Sequence, residues 1–217
     1  MKKLMIVFAA VLLIVAAMAG CGSAEKPAAV QAEKAEEKAV PAGIPEGTRL
    51  AAVYVDLMKS GKYFVKYEAS YSINNSEMQI KATVAFDKKN IDMVMESAQG
   101  TFHNLILDGA IYMIDDAAKS YLKLPGTQEE KPEELGAFGN GDMKFIKSGT
   151  GTVDGKSLPY EEYDADGQAV RYYFEGEKLF AIVALDPSGD TVLRIIEFSK
   201  NIPAGMLKLP DGYTQAG

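Results

Sequence analysis

From Gly61 onward the chain alternates between apolar and polar residues. In YFVKYEASYSI, Tyr63, Val65, Tyr67, Ala69, Tyr71 and Ile73 share one face, and Lys66, Glu68, Ser70 and Ser72 share the other. Phe64 is out of step. Asn74-Asn75-Ser76 turns the chain, and Met78, Ile80, Ala82, Val84 and Phe86 then alternate with Gln79, Lys81, Thr83 and Ala85. Asp87-Lys88-Lys89-Asn90 turns it again, and Ile91, Met93 and Met95 follow. A period of two with one apolar face predicts an antiparallel meander buried on one side.

The same pattern predicts strands at Thr101–Leu107, Ala110–Ile114 and Ser120–Leu124, and again in LPYEEYD, QAVRYYFE, KLFAIVAL and TVLRIIEFS. Asp108-Gly109, Asp154-Gly155 and Asp166-Gly167 supply the hairpin chemistry between alternating runs. The reading gives about ten strands. Before them, RLAAVYVDLMKS (residues 49–60) has the period of a helix, with Leu50, Val53, Tyr54, Leu57 and Met58 on one face and Val55 off it. Gly61 fits its C-terminal cap. Thr127–Gly141 (TQEEKPEELGAFGNG) breaks the pattern and reads as an acidic loop with a helical turn near Glu133–Ala137.

The first 47 residues are different material. Lys2 and Lys3 precede an uncharged apolar run, Leu4–Ala19, too short for a spanning helix of about twenty residues. A basic start, a short apolar core and small residues describe a secretory signal. Its end, Met18-Ala19-Gly20-Cys21, resembles a bacterial lipobox, with Met in place of the commoner Leu. That resemblance implies diacylglycerol on the Cys21 sulfur and cleavage before it. Cys21 is the single cysteine, so once lipidated it leaves no thiol for a disulfide. Two acyl chains hold stably where one holds marginally. Residues 22–47 contain no aromatic residue and are dominated by Ala, Glu, Lys and Pro, too little apolar surface to fold alone. The expected organisation is a signal at 1–20, lipidated Cys21 with a tether to residue 47, and one domain at 48–217.

Charge narrows the partners. The chain has 23 basic and 30 acidic residues; loss of Lys2 and Lys3 with the signal leaves 21 against 30, a net charge of −9. A nucleic-acid partner, which wants a basic surface, is not expected. Nor does that charge attract anionic headgroups, so membrane contact falls to acyl chains or an apolar site.

Catalytic and metal chemistry find no set. His103 is the single histidine and stands in a strand-like run, which reads as an ordinary surface or partly buried residue. One histidine without a free cysteine cannot build the usual zinc site, and no Gly-x-Ser-x-Gly elbow is present. Ser120-Tyr121-Leu122-Lys123 with Lys147-Ser148-Gly149 matches penicillin-binding motifs at far too short a spacing. Asp164-Ala165-Asp166-Gly167 lacks the later ligands of a calcium loop. Gly149-Thr150-Gly151 and Gly139-Asn140-Gly141 lack the lysine or helix of a phosphate loop. No enzyme, cofactor or metal is expected.

Apolar surface remains. Met78, Met93, Met95, Met113 and Met143 join Tyr and Phe residues, several at inward positions, and methionine suits surfaces that accept varied apolar partners. The order of helix, long meander, mid-chain helical loop, further hairpins and a closing Asn201-Ile202-Pro203…Leu209-Pro210-Asp211-Gly212-Tyr213 resembles the LolA/LolB superfamily, including LppX/LprG-type lipoproteins. The family tail commonly reads Leu-Pro-Gly-Tyr; here Asp211 is interposed. The resemblance covers residues 48–214 and is one of pattern. It implies a mainly β (α+β) fold, an antiparallel incomplete β-barrel (half-barrel) packed around one or two helices, with lipid or acyl chains, or a lipoprotein, held in its cavity.

The candidate lining positions are Tyr63, Val65, Tyr67, Tyr71, Met78, Ile80, Val84, Met93, Met95 and Tyr112. The expected partners are a bacterial membrane, through Cys21 on the extracytoplasmic face of the envelope, and a lipid or acyl-chain ligand. The alternative is a structural or sensory envelope lipoprotein that binds a protein and has no cavity.

Overall fold

The computed structural model describes residues 49–73, 76–124, 143–165, 167–187 and 189–216. The signal segment, Cys21, the Ala/Glu/Lys/Pro tract and the acidic stretch 127–141 lie outside them. Among the described residues there is one helix, α1 (Leu50–Lys59), followed by a long succession of strands. The first meander comprises β1 (Lys62–Ile73), β2 (Ser76–Asp87), β3 (Asn90–Ser97), β4 (Gly100–Leu107), β5 (Ala110–Asp115) and β6 (Ser120–Leu124). The second comprises β7 (Met143–Val153), β8 (Lys156–Ala165), β9 (Gln168–Glu175), β10 (Lys178–Ala184) and β11 (Thr191–Ser199). β12 (Thr214–Gln215) ends the series.

All twelve strands form one sheet in the order β12-β6-β5-β4-β3-β2-β1-β11-β10-β9-β8-β7. β1 pairs antiparallel with both β2 and β11, which joins the two meanders at the centre. Only the short β12–β6 pairing is parallel. The end strands β12 and β7 are not bonded to each other. The sheet is therefore an unclosed, mainly antiparallel half-barrel.

The hairpins follow their residue types. Asp108 and Gly109 take φ values of 50° and 82°, and Asp154 and Gly155 take 49° and 72°. Positive φ at both central residues defines the turn whose twist matches the flanking strands.

Helix α1 forms where its period predicts, but with the buried stripe rotated. Ala51, Val55 and Met58 are buried, whereas Val53 is 69% exposed. Leu50, Tyr54 and Leu57 flank the stripe. Gly61 closes the helix at φ 66°, and its N–H donates to the Met58 carbonyl.

Two strands escape the alternation rule. β7 carries Gly149 and Gly151 in its interior, which removes the apolar partners a period-two reading needs. Their missing side chains are replaced by tyrosines from β8 and β9. A Cβ at Gly149 would stand 2.9 Å from the Tyr160 hydroxyl, and one at Gly151 would stand 2.9 Å from the Tyr173 hydroxyl. β12 has only two residues and pairs, in parallel, with β6.

The sheet has an inner face, on which α1 packs, and an outer face. Phe64 breaks the inner alternation because it belongs to a buried row on the outer face. Phe64, Ala85, Asp92 and Leu105 are in register, and all four are buried. After β11 the chain must pass from beside β1 to beside β6, and it does so across this row as a C-terminal strap. Midway, the Leu207 N–H donates to Asp92 Oδ2 at 3.0 Å.

Candidate functional site: the inner face

Register assembles the inner face into cross-strand rows. One runs Tyr63, Phe86, Ile91, Ile106, Ile111, Leu124 from β1 to β6. The next runs Phe198, Val65, Val84, Met93, Asn104, Met113, Leu122 from β11 to β6. A third carries Ile195, Tyr67, Ala82, Met95 and Phe102. These rows are apolar from the centre of the sheet to its edge, with Asn104 the exception.

Helix α1 covers only part of them. Its N-terminus has no side-chain cap of its own and no acidic residue in its first turn. Glu161 on β8 performs that role from a distance. Its carboxylate accepts the Leu50 N–H at 2.8 Å and the Ala51 N–H at 3.2 Å. Two of the orphan donors at the helix start are thereby satisfied, and negative charge meets the positive end of the helix dipole. Tyr163 donates its hydroxyl to the same carboxylate at 2.8 Å. Burial, reinforced by Glu161, pushes the Tyr163 pKa up, so the hydroxyl remains a donor.

The rest of the helix is fixed on neighbouring strands. The Arg49 guanidinium lies 3.2 Å from the centre of the Phe145 ring on β7. The Tyr54 hydroxyl accepts the Leu179 N–H of β10 at 3.2 Å, and its ring meets Phe198 edge-on at 5.5 Å. Phe198 stacks on Tyr63, which stacks on Phe86. These anchors lie on β7, β8, β10 and β11, with the stack reaching β1 and β2.

Burial follows the helix. Along the second row, Val65 is fully buried and Val84 is 4% exposed. Met93 is half-buried, and Met113 and Leu122, farther out, are 44% and 42% exposed. An open groove of about 940 Å³ runs along this β5–β6 end of the sheet. Most of its lining lies on the outer face, including Val94, Glu96, Thr101, Ile114 and Tyr121, and Met113 and Leu122 border it from the inner face.

The sequence candidates separate accordingly. Tyr63, Val65, Tyr67, Ile80, Val84 and Met95 are core residues at 5% exposure or less. Met93 stands at the boundary of the covered region. Tyr112 lies on the outer face, in register with Leu105 and Lys123 and with its ring edge-on to Tyr121. Tyr71 and Met78 pair across β1 and β2, but their side chains are outside the described residues, as is Cys21. Sequence reasoning missed Leu122, Phe102 and Ile106 as members of the same rows. It also missed Glu161, because a carboxylate that caps a helix from a distant strand leaves no local signal.

No family model and no curated protein matches the sequence. Several solved structures are similar to the chain at low identity. A LolA superfamily protein from Nitrosomonas europaea is 9% identical at TM-score 0.37, over 74% of this chain and 98% of its own. LprF from Mycobacterium bovis is 10% identical at TM-score 0.40, over 76% and 95%. An uncharacterized conserved protein from Thermus thermophilus is 12% identical at TM-score 0.42, over 77% and 99%. Likeness at this level carries no residue and no ligand across.

Among the described residues no group of three His, Cys, Asp or Glu side chains could hold a metal ion. No described helix is long and apolar enough to cross a membrane.

Proposed function

We propose that the chain is a non-enzymatic envelope lipoprotein whose half-barrel binds an acyl chain or lipid along the inner face of β3–β6. In this reading the anchor is diacylglycerol on Cys21, and residues 22–47 tether the domain off a bacterial membrane. One observation supports the binding site above others: the inner rows stay apolar as they emerge from under α1 and end in exposed Met113 and Leu122. A solvated edge has no use for such residues, and contiguous exposed apolar surface marks interaction sites.

The chemistry suits a chain-like ligand. Covering apolar surface is worth about 25 cal/mol per Å², or about 0.8 kcal/mol for each methylene. Met93 and Met113 are flexible and polarisable, and so accept chains of varied shape. Asn104, between them in register, offers an amide to a carboxyl or ester group.

The test is native mass spectrometry of the domain from Gly47 onward, purified from a bacterial host without detergent. The reading predicts a co-purifying lipid that is lost in Met113→Asp and Leu122→Asp. A protein that stays empty after incubation with fatty acid and phospholipid would refute it, and would favour a protein partner on the same surface.

A further inference from the structure

The outer face carries a polar relay built around the chain's single histidine. His103 on β4 is mostly buried, with its side chain 13% exposed, and both ring nitrogens face carboxylates. Nε2 lies 2.9 Å from Asp92 Oδ1, and Nδ1 lies 3.1 Å from Asp116 Oδ2. Each carboxylate gives its other oxygen to the strap. Asp92 Oδ2 accepts the Leu207 N–H at 3.0 Å, and Asp116 Oδ1 accepts the Tyr213 hydroxyl at 2.8 Å. The sequence from strap to strap is therefore Leu207, Asp92, His103, Asp116, Tyr213.

We propose that this relay is a pH-sensitive latch: the His103 imidazolium holds the C-terminal strap on the outer face and β12 on the β6 edge, and loss of its proton releases the Tyr213 end. The argument is one of donor count. A neutral imidazole has one N–H, whereas the imidazolium has two. Two carboxylates within hydrogen-bond distance of both nitrogens are satisfied together only by the charged ring. Once the ring is neutral, one carboxylate faces a lone pair.

Burial decides which carboxylate moves. The Asp92 side chain is 5% exposed and that of Asp116 is 46% exposed. Asp116 can turn to water and take its bond to Tyr213 with it. The next residue, Thr214, begins β12. Its N–H donates to the Lys119 carbonyl, and the Ala216 N–H donates to the Tyr121 carbonyl. These few bonds are what the Tyr213 end holds in place. Leu207 adds strain at the other end of the relay, since its φ of 60° is unusual for a bulky residue. The bond to Asp92 offsets that cost in the docked strap.

The charged groups around the ring are Asp92 from β3 and Asp116 from the β5–β6 turn. The strap brings the Tyr213 hydroxyl, and its own Lys208–Asp211 pair is internal. Partial burial works against the charge on His103, but Asp92 and then Asp116 outweigh it, and the pKa is raised above its ordinary value. A histidine whose folded pKa exceeds its unfolded one adds stability that is complete below about 6.5. That contribution is lost as pH rises through the folded pKa. The latch is closed in mild acid and opens towards alkaline pH.

Hydrogen–deuterium exchange mass spectrometry on the whole chain tests it, reading the 208–216 segment at about pH 5.5 and about pH 9 after correction for intrinsic exchange rates. The wild type should lose several-fold protection in this segment at the higher pH, with β8–β10 unchanged. His103→Gln should show weak protection at both values and no pH step. A wild type with equal protection at both, or a variant with the same step, would overturn the latch. Should His103→Gln fail to fold, Asp116→Asn serves. It keeps an oxygen for Tyr213 and removes one charge, so the single histidine resonance should titrate at lower pH than in wild type. An unchanged titration would equally overturn it.

Discussion

The inner face is chemically the same on both sides of Met93, yet its two halves behave differently. Beneath α1 and at the sheet centre, Val65, Tyr67, Val84, Tyr172 and Phe174 are buried to 4% exposure or less. On β5 and β6 the same rows end in Met113 and Leu122, both more than two-fifths exposed. Nothing in residue type separates the halves; cover does. An apolar row becomes core or binding surface according to what lies over it, and here one ten-residue helix makes the difference.

The comparison can be broken most severely in the covered half. Phe174 is 1% exposed and its ring lies 6.4 Å from that of Tyr54. Phe174→Ala should cost about 3–5 kcal/mol, as large-to-small core substitutions do, seen as a lowered midpoint in urea unfolding.

A second change should make the covered half resemble the open one. Glu161→Ala removes the acceptor for Leu50 N, Ala51 N and the buried Tyr163 hydroxyl. The expected loss is about 2–3 kcal/mol, because buried donors are left unsatisfied at a helix start. Dye binding to exposed apolar surface should rise as α1 loosens. A variant as stable as wild type with no added dye binding would show that the helix is held by packing alone.

The smallest effect on stability belongs to the open half. Met113→Asp and Leu122→Asp should shift unfolding by no more than about 0.5 kcal/mol, as surface substitutions do. Their effect should fall on ligand binding. A large loss of stability in either would mean that these residues are core, and the two halves would no longer differ in kind.

How much of this was legible in the sequence depends on range. The β1–β3 pairings and the Asp108-Gly109 and Asp154-Gly155 hairpins are written in period and turn chemistry within a few residues of each other, and they form as expected; Asn74, Asn75 and Asp166 lie outside the described residues. The helix is legible by period, but its stripe is set by what it docks on. Glu161 lies more than a hundred residues away, and no local rule shows that Ala51 faces inward and Val53 outward. β7 is hidden for a related reason. Its glycines look like a loop until Tyr160 and Tyr173 are brought over them by strand pairing.

The candidate site is legible only in part. Alternation places Met93 correctly on the inner face, and parity within β5 sets Tyr112 opposite Met113. Which strands the helix leaves uncovered follows from tertiary placement alone. The His103 relay is similar: Asp92, His103, Asp116 and Tyr213 are unremarkable until the strap crosses the outer face.

The central claim is that the inner face of β3–β6, from half-buried Met93 outward, takes an acyl chain. The most direct measurement is photo-crosslinking with a diazirine-bearing fatty acid, followed by peptide mapping of the adducts. The account predicts adducts within residues 91–95, 102–113 and 120–124, competed away by unlabelled fatty acid and absent in Met113→Asp. Adducts confined to the outer face, or spread evenly without competition, would contradict it.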